Sequence, residues 1–232
     1  LAQLPIALIG VALNVVTLPK LSSLKKSGRK VEGNSYLNQS MQLSLIFALP
    51  ASVGLIYLSS EIISSLFQRG NFLVNDAIQT SKALSIYSLS IIPISLQILL
   101  LNFYFAEKNI RIPFYYSLAS VFLNVSLAYT LLDTLEFLAP PIAYAITNWL
   151  VFISLVYHTY KFGFYFNSAF KRSLPRIVLS SCFMLILLIL TKSFTLQYFP
   201  TQILTILWLS MVIPLSGISY FACLKFLGIL DK

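Results

Sequence analysis

The sequence predicts an all-α fold, a polytopic bundle of about seven transmembrane helices. Three observations predict it. Hydrophobic residues make up 58% of the 232 positions and charged ones 10%, at a mean hydropathy of +0.84, far from the balance of a water-soluble domain. Apolar runs of bilayer-spanning length recur between short polar connections. Basic residues gather on alternate connections, as they do in membrane proteins with a cytoplasmic face.

The segments follow in order. Leu1 to Leu18 reads as the first crossing, beginning inside an apolar run, so the chain is expected to be a fragment or a split product. Pro19 to Asn34 is a polar, basic connection, helical where Leu21 and Leu24 share a face. Tyr36 to Leu58 crosses back, with Pro50 and Gly54 as points of kinking or close packing. Ser60 to Phe67 is too short to span and is expected at the interface. A turn of Gln68, Arg69, Gly70 and Asn71 leads into the third crossing, Ala77 to Phe105, closed by the charged turn Glu107 to Ile112. Phe114 to Leu132 is the fourth crossing, and Asp133 to Phe137 an acidic turn. The fifth starts at Pro140 or Pro141 and ends near Tyr160. After the basic, aromatic connection Lys161 to Arg176, Ile177 to about Phe194 and Ile203 to Leu224 complete the count, the last with Pro214 in its middle.

Charge fixes the orientation. Lys20, Lys25, Lys26, Arg29, Lys30, Lys108, Arg111, Lys161, Lys171, Arg172, Arg176, Lys225 and Lys232 fall on one side, thirteen of the sixteen basic residues. That side is read as cytoplasmic, with Leu1 outside and Lys232 inside. The net charge of +9 is therefore topological. Its natural partner is anionic lipid on the cytoplasmic face, and no nucleic-acid partner is expected. The exceptions are Arg69, Lys82 and Lys192.

The third crossing is the most informative. Ser81, Ser85, Ser88, Ser95 and Asn102 follow helical spacing down one face; Gln79, Ser90, Gln97 and Tyr104 follow it down the roughly opposite one. Lipid offers these groups no partners, so each face meets protein or a wet cavity. Close packing explains the serines; the amides favour a cavity. Pro93 removes one backbone bond and is expected to kink the helix. Lys82 is an intramembrane cation, lining a cavity or snorkelling to the headgroups. Arg69 could pair with Asp76 or Glu61. Lys108 and Arg111 bracket the cytoplasmic end, as a gate for an anionic headgroup or as plain collar charges.

No enzyme can be assembled. His158 is the only histidine, and no nucleophile set, carboxylate pair or phosphate loop accompanies it. Cys182 and Cys223 lie in apolar runs, without metal-ligand spacing. No cofactor and no metal are expected.

The stretch LFQRGNF, the acidic Asp76, KALSIYS and NFYFAEKNIRIP resembles the segment around the tenth helix of the MurJ/MviN lipid II flippases, and the opening QLPIALIGVALNVVTLPKLS is similar to their eighth helix. After Asn124 the likeness is one of hydropathy. The resemblance implies the multidrug/oligosaccharidyl-lipid/polysaccharide exporter fold, two six-helix lobes around a cavity and two further helices forming a groove. This chain would supply five helices of the second lobe (residues 1–160) and both groove helices (residues 161–232), with the N-terminal lobe missing. It implies transport of lipid II, a polyprenyl diphosphate, across the bacterial cytoplasmic (inner) membrane by alternating access, in the service of peptidoglycan and cell-wall biogenesis. The cavity candidates are then Lys82, Gln97, Gln3, Gln79 and Arg69. Asn124 matches a sodium ligand of some members, but Ala128 stands where the accompanying acid would be. A polysaccharide or drug exporter of the same superfamily, or a non-transporting remnant, are the alternatives; a cation-drug exporter would want a mid-helix acid, which none of the seven acids supplies.

Overall fold

The computed structural model describes residues 1–195 and 202–229, so Lys232 lies outside the described residues. Among those described, every regular element is a helix. In chain order these are α1 (Gln3–Lys26), α2 (Lys30–Tyr57), α3 (Ser59–Phe67), α4 (Val74–Ser88), α5 (Ile91–Phe105), α6 (Arg111–Leu135), α7 (Ala139–Lys161), α8 (Ser168–Thr195) and α9 (Gln202–Phe226).

Six stretches are long and apolar enough to cross a membrane, and one of them, Arg111–Lys161, runs 51 residues and holds both α6 and α7. The chain reverses between them at Glu136, whose φ of 47° is left-handed. The Tyr116 hydroxyl of α6 then meets the Ser154 carbonyl of α7 at 3.1 Å, so the two run back along each other. Splitting that stretch gives seven passes among the described residues.

Several boundaries differ from the sequence reading. The first helix does not stop at Leu18 but continues through Pro19 to Lys26, because Leu21 and Leu24 bury to 1% and 5% exposure and repay the bond the proline removes. The connection shrinks to residues 27–29, where Gly28 takes a φ of 74°. The third crossing is two successive helices, α4 and α5, interrupted at Leu89 and Ser90, one turn before Pro93, where the backbone bond that the proline removes would have fallen. The proline sits in the first turn of α5, and its missing N–H leaves the Leu89 carbonyl, four residues earlier, without a backbone donor.

The main core joins residues from both ends of the chain, among them Leu37 and Met41 of α2, Leu99, Leu100 and Tyr104 of α5, Leu155 of α7, Ile177 and Leu188 of α8, and Tyr220 and Leu224 of α9. A smaller cluster of Ile63, Ala77 and Leu84 lies apart, between α3 and α4. Polar groups tie the helices where lipid cannot. Tyr220 donates to the Ile46 carbonyl at 2.8 Å. Asn34 and Asn38, one turn apart on α2, both donate to the Tyr165 carbonyl (3.0 and 2.9 Å), and Asn38 accepts from the Asn167 amide at 3.1 Å, pinning the α7–α8 connection. At the same end Lys25 of α1 donates to the Phe103 carbonyl and to Glu107, both at 2.7 Å.

Small residues set the closest approach between α1 and α5. Gly10 lies within a π-helical turn, Ile6–Val11, and a Cβ there would stand 2.9 Å from the Ile98 Cδ1 and 3.5 Å from the Ser95 Cα.

Candidate functional site

Serine spacing along α4 and α5 meets protein, as close packing requires. Ser81, Ser88, Ser95 and Asn102 are all buried. Ser81, Ser85 and Ser88 bond back to the carbonyls of Ile78, Lys82 and Leu84 at 2.7–2.8 Å, which lets a hydroxyl sit in an apolar interface.

The concave surface lies beside that face, at the end of the bundle where α1 starts. A pocket of about 550 Å³ opens between the start of α1, the hairpin of α3 and α4, and α7. Gln3, Thr80, Tyr87 and Tyr144 give it polar character, and Leu1, Phe67 and Ala83 close its apolar walls. Tyr87 and Tyr144 meet edge to face, with ring centroids 5.5 Å apart.

Apolar grooves continue from it. One of about 340 Å³ runs between α1, α2, α8 and α9, past Pro50, Gly54, Met184, Leu188 and Gly217. A second of about 490 Å³ lies along α1 against Phe47. The two share Leu4, Pro5 and Ala51, and the first shares Leu1 with the polar pocket. The start of α1 is thus a ridge with a polar recess on one side and a greasy channel on the other.

The candidate residues divide accordingly. Gln3 lines the polar pocket. Gln79 and Lys82 are exposed on α4, next in sequence to the lining residues Thr80 and Ala83 but not among them. Arg69 is exposed in the turn before α4, where it pairs with neither Asp76 nor Glu61; its guanidinium reaches the Ser65 carbonyl at 3.4 Å. Asp76 instead accepts from the Leu73 amide at 2.9 Å, capping the start of α4. Gln97 lies elsewhere, in a separate recess of about 220 Å³ with Tyr116, Ser117 and Ser120, and donates to the Asn148 carbonyl at 2.8 Å. Eighteen residues separate it from Gln79, about 27 Å along a helix, so the two amides lie at different depths. Lys108 has a φ of 58° in the tight turn after α5, and Arg111 opens α6; both are exposed. Asn124 is half-buried on α6 with Ala128 one turn on. Among the described residues no group of three metal-ligating side chains comes together.

Two arrangements escaped the sequence reading. Lys192 of α8 pairs with Glu61 of α3 at 2.6 Å and lies over the Tyr57 ring, 4.8 Å from its centroid. Both charges were already on the same side of the membrane, which was the available signal. The Tyr104 hydroxyl bridges His158 Nδ1 (2.8 Å) and Thr159 Oγ1 (3.0 Å), while the Thr159 hydroxyl donates to the Leu155 carbonyl. His158 therefore holds α5 to α7.

Comparison with known proteins follows the same geometry. The family model described as Lipid II flippase MurJ matches residues 1–209. A probable lipid II flippase MurJ of Rickettsia prowazekii (strain Madrid E) is 26% identical over 205 residues, 88% of this chain and 40% of the relative. That of Buchnera aphidicola subsp. Acyrthosiphon pisum is 29% identical over 231 residues, 99% of this chain and 45% of the relative. Over the shorter span of 121 residues, that of Aquifex aeolicus (strain VF5) is 39% identical, covering 52% of this chain and 23% of the relative. A solved structure, a lipid II flippase MurJ in an inward closed conformation, superposes with a TM-score of 0.78 at 24% identity, over 97% of this chain and 45% of that one, a likeness of fold. In each case the chain spans less than half the length of its relative.

Proposed function

This chain belongs to the lipid II flippase MurJ family, and from that premise we propose that it takes part in flipping lipid II across the bacterial cytoplasmic membrane by alternating access, together with an N-terminal lobe that this sequence does not contain. The observation that carries the reading is the junction at the start of α1, where Leu1 lines both a polar pocket and an apolar groove. An amphiphile with a long polyprenyl chain and a hydrated headgroup needs both surfaces side by side. The chain lies in the groove between α1, α2, α8 and α9, where burial away from water and close packing favour it. The sugars and diphosphate lie in the pocket, where Gln3, Thr80 and the tyrosine hydroxyls offer hydrogen bonds. Gln79, Lys82 and Arg69, exposed beside it, supply further donors and positive charge for the diphosphate.

In this reading residues 1–160 form five helices of the second lobe, and residues 161–232 add the two that wall the groove. Gln97 lines the inward part of the transport path. Lys108 and Arg111 stand at its cytoplasmic gate, Asn124 is a sodium-ligand candidate without an acid beside it, and the basic collar contacts anionic lipid. Leu1 faces outward and Lys232 the cytoplasm.

Photolabelling tests it. Lipid II with a photoreactive group in its polyprenyl chain, added to this chain in lipid nanodiscs, should label peptides containing Gly54, Leu188 and Gly217, and unlabelled lipid II should compete. Labelling spread evenly onto the lipid-facing side of α6, where Phe122 and Tyr129 are exposed, would count against a specific groove.

A further inference from the structure

We propose that the α3–α4 hairpin is a movable outer wall of the polar pocket, pivoting on the break at Leu89 and Ser90, and that Trp149 and Ser52 are the positioning residues that hold this pivot. The meaning of the pocket rests on the function proposed above; the pivot rests on backbone bonding alone.

A helix interrupted inside a membrane leaves carbonyls without donors, and lipid supplies none. Pro93 has no N–H, so the Leu89 carbonyl four residues earlier loses its intrahelical partner. The Trp149 indole N–H of α7 donates to that carbonyl at 3.1 Å. The neighbouring Ser88 carbonyl receives the Ser52 hydroxyl of α2 at 2.7 Å. The break is thus closed by two side chains from two different helices. Rotation of α4 against α5 exchanges these two side-chain bonds and leaves the backbone ladders of both helices intact, which is what a pivot requires.

The hairpin is built to move as one piece. Its buried apolar residues, Ile63, Ala77 and Leu84 with Ala2 and Phe72 against them, form a cluster separate from the main core, which α3 meets through Ile62. Its two ends are interruptions, at Leu58 between α2 and α3 and at Leu89 between α4 and α5. It carries Phe67, Thr80, Ala83 and Tyr87 on one wall of the pocket, while Gln3 and Tyr144 on the other belong to α1 and α7. The Glu61–Lys192 pair latches the hairpin to α8. Swinging it away widens the pocket's mouth; swinging it back closes the pocket on its contents.

The test uses this chain in lipid nanodiscs, with Cys182 and Cys223 replaced by alanine and spin labels placed at Asn75 on α4 and Ile153 on α7. Trp149→Phe keeps a ring in place and removes the donor; it should roughly double the width of the label–label distance distribution, as a second position of α4 becomes populated. Pro93→Ala returns an N–H to the Leu89 carbonyl and should narrow the distribution. In the Pro93→Ala background Trp149→Phe should have no further effect, since the bond it removes is redundant. Ser52→Ala should broaden the distribution in the same direction, and reads the pivot if Trp149→Phe fails to fold. Equal broadening by Trp149→Phe with and without Pro93→Ala would show a packing role for the ring and overturn the pivot, as would unchanged widths in both donor variants. None of these readouts involves lipid II. A separate addition of lipid II should shift the distribution; a demonstrated pivot that lipid II leaves unmoved would overturn the link to the pocket while leaving the hinge.

Discussion

Removal of the Glu61 carboxylate is the most direct test of how the groove helices are held. Glu61 and Lys192 meet at 2.6 Å with side-chain exposures of 11% and 20%. At that separation the gross attraction is about 6 kcal/mol for an effective dielectric of about 20. Desolvation of two partly buried charges cancels much of this, leaving a charge-assisted bond of about 1.5–3 kcal/mol. Glu61→Gln should therefore destabilise by at least about 1.5 kcal/mol, because the ammonium keeps its place over Tyr57 but loses its counter-charge. Lys192→Gln should cost a similar amount. The double variant should be less destabilised than the sum, with a coupling energy of about 1.5–3 kcal/mol. The assay is reversible unfolding of the chain in mixed micelles across this four-variant cycle, at low and at high salt. Partial burial predicts that high salt removes less than half of the coupling. A coupling energy below about 0.5 kcal/mol would refute the reasoning and reduce the pair to an ordinary surface contact.

Other consequences follow from the same contacts. Asn38→Leu strips the bonds to Tyr165 and Asn167 from a side chain that is 1% exposed; it should destabilise by about 2–4 kcal/mol and raise amide exchange in residues 163–167. Tyr220→Phe removes the donor to the Ile46 carbonyl from a side chain that is 1% exposed, with an expected loss of about 1–2 kcal/mol in the same unfolding assay. Gly10→Leu would carry three carbons beyond a Cβ that already stands 2.9 Å from the Ile98 Cδ1 and 3.5 Å from the Ser95 Cα; overpacking should cost about 1–3 kcal/mol and push α1 from α5 in a label-distance measurement. Single cysteines at Lys26 and Lys171, with Cys182 and Cys223 replaced, should react with an impermeant reagent only from the cytoplasmic side; labelling from outside intact cells would invert the orientation.

Membrane character, the number of passes and the alternating placement of charge were determined by the sequence itself. The reason is that transfer into a bilayer is nearly additive along a segment, and each connection carries its own charge. The residues that carry a family resemblance, from LFQRGNF to NFYFAEKNIRIP, were likewise local. The buried serine face of the third crossing was legible too, because 3.6-residue spacing survives in each half of a broken helix.

What the tertiary structure alone decided is which partner each polar group finds. Pro93 announced a disturbance, but its place at Leu89 and the donor that satisfies it, an indole 60 residues further along the chain, depend on where α7 packs. Spacing put Gln79 and Gln97 on one face, about 27 Å apart along it, but only the packing of α6 and α7 gives Gln97 its own recess. Arg69 had Asp76 and Glu61 in reach by sequence, yet a backbone amide took the first and Lys192 the second. In a medium without water a buried polar group depends on protein for its partner; where the packing of helices far apart in the chain supplies one it is answered, and among the described residues Ser95 and Asn102 are buried without one.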